Sequence, residues 1–224
     1  MLELGRINDA FTLIRKYNDA IIIHIFALIT SEQEEKSLFD ENFSFYNNIV
    51  NEWVHGRKSL VEKKDFETRE GAYLSTIKKR DLQLSNLLFG KKTQKDYGHN
   101  RNIGDDNVHY NKWNNFRLNN PQIRYYPEGL HFLSEAANAI KLLFVIHFSY
   151  LILLKPTIML SIDYLAALEE RLEPDEKTIN YAASIVCDMF EKYVDKFDKD
   201  LAIYLCGCTF LELRYYSSDN LQRD

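Results

Sequence analysis

Apolar residues recur at every third or fourth position along most of this chain, and that spacing is typical of amphipathic helices. The first such pattern covers residues 2–29, and a second covers 43–61 with an interruption at Gly56. A third stripe runs from Tyr73 to Phe89, where Gly90 supplies a helix stop. The first part of the chain is therefore predicted to be helical.

The helical pattern returns in the second half of the chain. It resumes at Glu128 and stops before Pro156, and a shorter helix is predicted over 157–172. Pro174 at a first-turn position predicts a further helix that runs to about residue 197. Residues 201–216 suit a strand as well as a helix. We therefore predict an all-α fold of the multi-helix bundle type.

Residues 91–127 form the one long segment in which this pattern is lost. Eight asparagines lie from Asn100 to Asn120, and short amide side chains favour turns because they bond their own backbone. At about 37 residues the segment is too long for an ordinary connection in a compact domain, which indicates a functional loop. We predict a single helical domain over residues 1–224 that carries this Asn-rich central loop as an insertion.

Composition narrows the class of protein. Hydrophobic residues make up 46% of the 224-residue chain and the formal net charge is -5, which favours a globular protein without a generally basic surface. The three cysteines give neither a disulfide framework nor a metal-binding spacing, so a cytoplasmic protein is expected. The strongest apolar run, residues 142–154, is shorter than the roughly twenty residues of a membrane span, and no membrane association is expected.

The loop concentrates side chains that can do chemistry. Arg101 can bind a phosphate with two parallel hydrogen bonds, and His109 can accept a proton near neutral pH. Together these groups suit metal-independent RNA cleavage, with the imidazole as general base and the guanidinium stabilising charge on the phosphate. Asn102, Asp105 and Asp106 are candidates for orienting the pair. No cofactor and no metal are expected for this chemistry.

The same residues also permit an interpretation without catalysis. Asp105, Asp106 and Asn107 are typical of a tight turn, and His109 and Tyr110 would then be packed or solvated side chains. A metal site built from histidine and aspartate side chains of the loop would suit zinc or manganese, but the loop lacks an established ligand spacing. Its candidate ligands are His99, His109, Asp105 and Asp106.

The segment from Arg101-Asn102 to Val108-His109-Tyr110 resembles the HEPN superfamily of helical bacterial toxins and defence ribonucleases. That family carries an arginine, then four to six positions of which the first is a polar residue, then a histidine. Seven residues separate Arg101 from His109 here, one more than the family pattern. The resemblance implies an endoribonuclease of a toxin–antitoxin or phage-defence system that pairs as a homodimer with the two motifs facing each other.

Basic and aromatic side chains surround this motif. They can hold phosphates and stack single-stranded bases, so RNA is the expected partner. In the alternative interpretation the basic residues are a solvated helix end and the aromatic residues anchor the loop to the core. The candidates for RNA binding are Lys91, Lys92, Lys95, Tyr110 and Trp113, and further basic residues lie at Lys78, Lys79 and Arg80.

The remaining histidines have plainer interpretations. His24 and His147 each lie inside an apolar helical run, where a histidine is more often a satisfied core or interface residue than a catalytic one. Arg124 and His131 have six residues between them and fit the family spacing, but Pro127 interrupts the pair. The alternative to an RNA-cleaving protein is a second function class without catalysis. It is a helical interaction subunit of a bacterial defence or mobile-element system, with a homodimer or another protein as partner.

Overall fold

The computed structural model of the chain describes residues 6–33, 69–90, 95–99, 102–103, 127–171 and 181–213. Within these ranges the chain is helical and contains no strand, apart from an isolated antiparallel bridge between Leu160 and Ala182. The all-α prediction is confirmed for these residues. The predicted helix over 43–61 and most of the Asn-rich segment lie outside the described residues.

The helices succeed one another with short connections where the chain is described. Two compact units divide the chain, Met1–His147 and Phe148–Asp224, and their boundary falls inside a continuous helix. The single-domain expectation stays a prediction. The elements in chain order are α1 (Ile7–Gln33), α2 (Arg69–Arg80), α3 (Leu82–Phe89), α4 (Pro127–Leu154), a 3₁₀ helix (Pro156–Met159), α5 (Ile162–Glu170), α6 (Ser184–Met189), a π-helical segment (Phe190–Asp195) and α7 (Lys199–Cys208).

The first unit has its core along α1, as the apolar stripe of that segment predicts. The ring of Phe26 on α1 stacks on Tyr73 of α2 with 4.0 Å between ring centroids. Arg15 Nη2 lies 3.3 Å from Oε2 of the buried Glu70, which attaches the start of α2 to the same helix. A buried carboxylate is costly without a cation, so this ion pair fixes which face of α2 meets α1. The α1 residues of this core are Ile7, Phe11, Ile14, Ile21, Ile25 and Ile29.

Helices α1 and α4 run parallel to each other within the first unit. Phe11 contacts Phe132 edge to face with 6.4 Å between ring centroids, and thirteen residues later His24 contacts His147 at 5.2 Å. From the first contact to the second, the residue numbers increase along both α1 and α4, so the two helices run in the same direction. Full burial of one such aromatic ring is worth about 1.5–3 kcal/mol, so the Phe11 contact is a substantial anchor.

The stripe from Tyr73 to Phe89, predicted as one helix, is two helices. The chain breaks at Asp81, whose backbone is extended at φ −147° and ψ 101° and whose Oδ1 accepts a hydrogen bond from Leu84 N at 2.8 Å. This is the geometry of a helix N-cap, and it satisfies an amide that α3 leaves without a helical partner. Helix α3 ends at Phe89 as predicted.

Gly90 follows α3 for a steric reason. Its φ is −63°, so the left-handed conformation that often favours glycine after a helix is not adopted. A Cβ at this position would overlap the carbonyl oxygen of Asn86 in the last turn of α3. Glycine is therefore required because the backbone passes close to the end of the helix.

The second unit departs from the predicted helices in its first part. The segment predicted as a helix over 157–172 is a 3₁₀ turn followed by α5, because Leu160 is extended and pairs with Ala182. Ser161 Oγ accepts a hydrogen bond from Tyr164 N at 3.1 Å and caps α5. Residues 181–183 are not helical, so the described part of the helix predicted from Pro174 begins only at Ser184.

The chain from Ser184 to Cys208 is helical apart from a π-helical segment and a break at Asp198. Phe190 and Val194 are buried within the π-helical segment, and Asp198 caps α7 by accepting hydrogen bonds from two amides of its first turn. The ambiguity between strand and helix over 201–216 is thus resolved in favour of helix through Cys208, since α7 buries Leu201 and Leu205 on one face.

One described helix, Gly129–Leu154, is long and apolar enough to cross a membrane by length and composition alone. Just over half of its most apolar window, 56%, is buried inside the protein, and the core helix of a soluble protein has the same properties. This helix is therefore weak support for a membrane span.

We expect Asp81→Ala to lower the free energy of unfolding by about 1 kcal/mol, because the N-cap acceptor for α3 is lost. The matched control is Asp81→Asn, whose side-chain oxygen accepts the same hydrogen bond and which should stay close to the unsubstituted protein. Urea denaturation followed by circular dichroism measures both. An equal loss in the two variants would contradict the capping role.

Candidate functional site

Most of the predicted site lies outside the described residues. Asn102 and Lys95 are described, and both side chains are exposed. The geometry of the predicted pair of arginine and histidine therefore stays a prediction. The predicted site residues outside the described ranges are Arg101, His109, Asp105, Asp106, Lys91, Lys92, Tyr110 and Trp113.

Residues 95–99 are helical, and this segment, which we call the 95–99 helix, is held in place by aromatic packing. The ring of Tyr97 meets the buried ring of Phe89 edge to face, with 5.6 Å between centroids and an angle of 88° between the ring planes. Lys78 Nζ lies 5.0 Å from the centroid of the same Phe89 ring, a cation–π distance. This packing connects the start of the Asn-rich segment to α2 and α3, and His99 lies among the same helical residues.

His99 and His131 both contact Glu135 in the first turns of α4. Nε2 of His99 lies 3.1 Å from Oε1 of Glu135, and Nε2 of His131 lies 3.3 Å from the same oxygen. His131 and Glu135 are four residues apart, which places them on one face of the helix. We call His99, His131 and Glu135 the His–Glu–His cluster.

The position of the carboxylate determines which ring nitrogens remain available to other partners. A carboxylate oxygen only accepts hydrogen bonds, so His99 carries its hydrogen on Nε2 toward Glu135 and its Nδ1 is left for other partners. His131 lies at ion-pair distance from the same oxygen. The imidazoles of His99 and His131 are 59% and 67% exposed, whereas the Glu135 side chain is 17% exposed. The cluster therefore consists of two accessible imidazoles oriented by one shielded carboxylate.

Glu135 was not identified from the sequence as a site residue. Its signal is the spacing His131-x-x-x-Glu135 within a predicted helix, which places an imidazole and a carboxylate together. The partner His99 lies 36 residues away from Glu135 and meets it only through the fold. Across the part of the chain that the structure describes, no group of three or more His, Cys, Asp or Glu side chains is arranged to hold a metal ion.

A second histidine cluster lies between α1 and α4. His24 Nδ1 is 2.9 Å from His147 Nε2, and Nδ1 of His147 is 3.4 Å from the hydroxyl of Tyr17. A hydrogen bond between two imidazoles requires one ring to donate and the other to accept, so at least one of them is neutral. We call His24 and His147 the histidine pair.

Burial shifts the pKa values of the histidine pair downward. Desolvation, with the neighbouring His24 as the second cause, lowers the pKa of His147 from 6.5 to about 4. Desolvation also lowers the pKa of His24. The hydroxyl of Tyr17 has its pKa raised by burial and therefore stays protonated at neutral pH. The histidine pair is consequently neutral at physiological pH.

No known protein family, curated protein or solved structure matches this chain.

Acid is expected to destabilise the fold through His147. In the unfolded chain its imidazole binds a proton below pH 6.5, whereas in the folded protein it does so only near pH 4, so lowering the pH favours the unfolded state. The free energy of unfolding begins to fall as the pH drops through 6.5, and the loss due to His147 is complete below about 4. Because the His147 side chain is partly exposed to solvent, we expect this loss to be about 1–2 kcal/mol.

The test is urea denaturation at several pH values from neutral down to the folded-state pKa of His147, in a buffer that contains a chelator. His147→Gln should flatten the dependence of unfolding free energy on pH, because the titrating group is gone. His24→Gln should flatten it partly, since the neighbouring imidazole contributes to the shift. A slope for His147→Gln as steep as that of the unsubstituted protein would contradict this account.

Proposed function

We propose that this protein is an RNA-cleaving or RNA-binding protein of the HEPN type that works without a metal ion. The observation that carries the proposal is the His–Glu–His cluster, which adjoins the Asn-rich segment and offers two accessible imidazoles. The resemblance of the loop sequence supports the same chemistry. A toxin–antitoxin or phage-defence role in a bacterial cytoplasm belongs to this proposal as its biological setting.

The cluster provides both groups that RNA cleavage by proton transfer needs. One imidazole accepts the proton of a ribose 2′-hydroxyl, and the 2′-oxygen then attacks the adjacent phosphorus. The second imidazole, in its protonated form, gives a proton to the 5′-oxygen as the bond from phosphorus to that oxygen breaks. The products are a 2′,3′-cyclic phosphate and a 5′-hydroxyl. Glu135 holds the rings in place and is a positioning residue.

Cationic side chains near the cluster suit the phosphate backbone. Lys95 lies one helical turn before His99 on the 95–99 helix, and its side chain is exposed. The last turn of α2 carries Lys78, Lys79 and Arg80, of which Lys78 packs against the ring of Phe89 that also anchors Tyr97. This local positive charge favours a polyanionic substrate although the whole chain is acidic.

The loop motif and the cluster are adjacent along the chain. Arg101 follows His99 by two residues, and Asn102 between the arginine and the rest of the motif is exposed. In this proposal Arg101 contacts the scissile phosphate, and His109 stays a candidate general base beside the two imidazoles of the cluster. Asp105 and Asp106 stay candidates for orienting them.

Cleavage of a fluorescent single-stranded RNA in the presence of a chelator tests this function. We expect His99→Ala and His131→Ala each to lower the rate by about a hundredfold or more, since each removes a proton-transfer group. Glu135→Gln should lower kcat more than it raises KM, as expected for loss of positioning. End-group analysis should find a 2′,3′-cyclic phosphate.

The matched control is Asn138→Ala, an exposed position on α4 close to the cluster, which should cleave at the rate of the unsubstituted protein. His109→Ala in the same assay tests the loop motif separately. Unchanged cleavage by the double variant His99→Ala/His131→Ala would contradict the role of the cluster. Absence of both cleavage and RNA binding by the unsubstituted protein would contradict the proposed function.

An exposed apolar surface in the second unit favours the second function class, a protein-interaction subunit. On α5, Ile162 is 83% exposed, and the exposed Leu165 follows three residues later on the same face. Ile158, on the preceding 3₁₀ helix, is 63% exposed. Several large apolar side chains exposed together are typical of a contact with another protein. Self-association through this surface would be a contact of its own, separate from the homodimer with facing motifs that the loop resemblance implies.

Ile162→Asp is expected to weaken self-association at least tenfold, because it places a charge in the apolar contact. Thr157→Asp, an exposed position on the neighbouring 3₁₀ helix, is the control for added charge and should associate normally. Light scattering over a range of protein concentrations gives the dissociation constants. A monomeric unsubstituted protein would rule out a homodimer at this surface.

A further inference from the structure

We propose that the histidine pair is a binding site for a first-row transition metal ion of the Zn²⁺ class, which joins α1 to α4. The proposal rests on the positions of His24 Nδ1 and His147 Nε2 and is independent of RNA cleavage. With only two protein ligands it differs from a site built from three or more ligating side chains. Water or a further ligand completes the coordination.

The two nitrogens are already nearly at the separation that a metal ion needs. Zinc binds histidine nitrogen at about 2.0–2.1 Å, so two nitrogens on a tetrahedral ion lie about 3.3 Å apart. The observed separation is 2.9 Å, and a small rotation of the exposed His24 ring closes the difference. The lone pair of one nitrogen points at the other across the hydrogen bond, so a metal ion would replace the shared proton.

The surroundings of the histidine pair are those of metal-binding imidazoles. A metal-binding histidine usually bonds a second group through its other ring nitrogen, which fixes the ring orientation. Tyr17 provides that group, since its hydroxyl lies 3.4 Å from His147 Nδ1. His24 is exposed, which gives the ion access and leaves room for water ligands. Histidine nitrogen suits zinc, copper and nickel among the available ions.

The hydrogen bond within the histidine pair is compatible with binding of an ion by both facing nitrogens. A metal ion binds the neutral form of imidazole. In a hydrogen bond between two imidazoles one nitrogen already offers its lone pair, and the donating nitrogen does the same once its hydrogen has moved to the other nitrogen of that ring.

The primary test is thermal unfolding of the full chain with increasing ZnCl₂, compared with the same protein in EDTA. Zinc at about a hundredfold excess over its dissociation constant should raise Tm by about 5 °C or more. His24→Ala should lose this rise, and because its ring is exposed the variant should keep its fold. Tyr17→Phe should weaken zinc binding several-fold without abolishing it.

The matched control is the double variant His99→Ala/His131→Ala. It removes the two histidines of the His–Glu–His cluster and should keep the rise in Tm that zinc produces. Competition with a chromogenic chelator measures zinc affinity directly and does not depend on a change in Tm. An equal zinc affinity of the unsubstituted protein and His24→Ala/His147→Ala would overturn the proposal. A Tm rise that persists in His24→Ala would overturn it as well.

Discussion

The parallel packing of α1 against α4 is the constraint on which both histidine clusters depend. Phe132 faces Phe11 across this contact. Its neighbours His131 and Glu135 consequently lie along the side of α4, and there Glu135 contacts His99 of the 95–99 helix. Fifteen residues further along α4, about four turns, His147 again faces α1. One helix pair thus positions an accessible cluster near one end and a partly buried one near the other.

The distribution of charge along α4 explains why the two clusters have different partners. The helix carries Glu135 and Lys141 in its first part, and no charged residue from Leu142 to Leu154. His147 lies in the uncharged part of α4, so its polar ring needs neutral hydrogen-bonding partners. His24 and Tyr17 are those partners. A carboxylate in that environment would be costly to bury, whereas near the exposed start of the helix it is tolerated.

Sequence periodicity predicted the helices well because burial of one face is a local property of the sequence. It missed the break at Asp81, since an N-cap aspartate within an apolar stripe differs little from a solvated residue. It also missed the role of Glu135, because this side chain becomes part of a site only through its tertiary contact with His99, which is 36 residues away in the sequence. Contacts of this kind depend on tertiary packing, in this case on Tyr97 against Phe89.

The chemistry available to a histidine is decided by the group that faces it. Glu135 accepts a hydrogen bond from Nε2 of His99 and lies 3.3 Å from Nε2 of His131, which leaves Nδ1 of each ring to a substrate, and such rings suit proton transfer. In the histidine pair each ring faces another imidazole, so the protonated form is disfavoured by burial and by the like charge of its neighbour. Two ring nitrogens that face each other can bind one metal ion together, because the ion accepts both lone pairs at once.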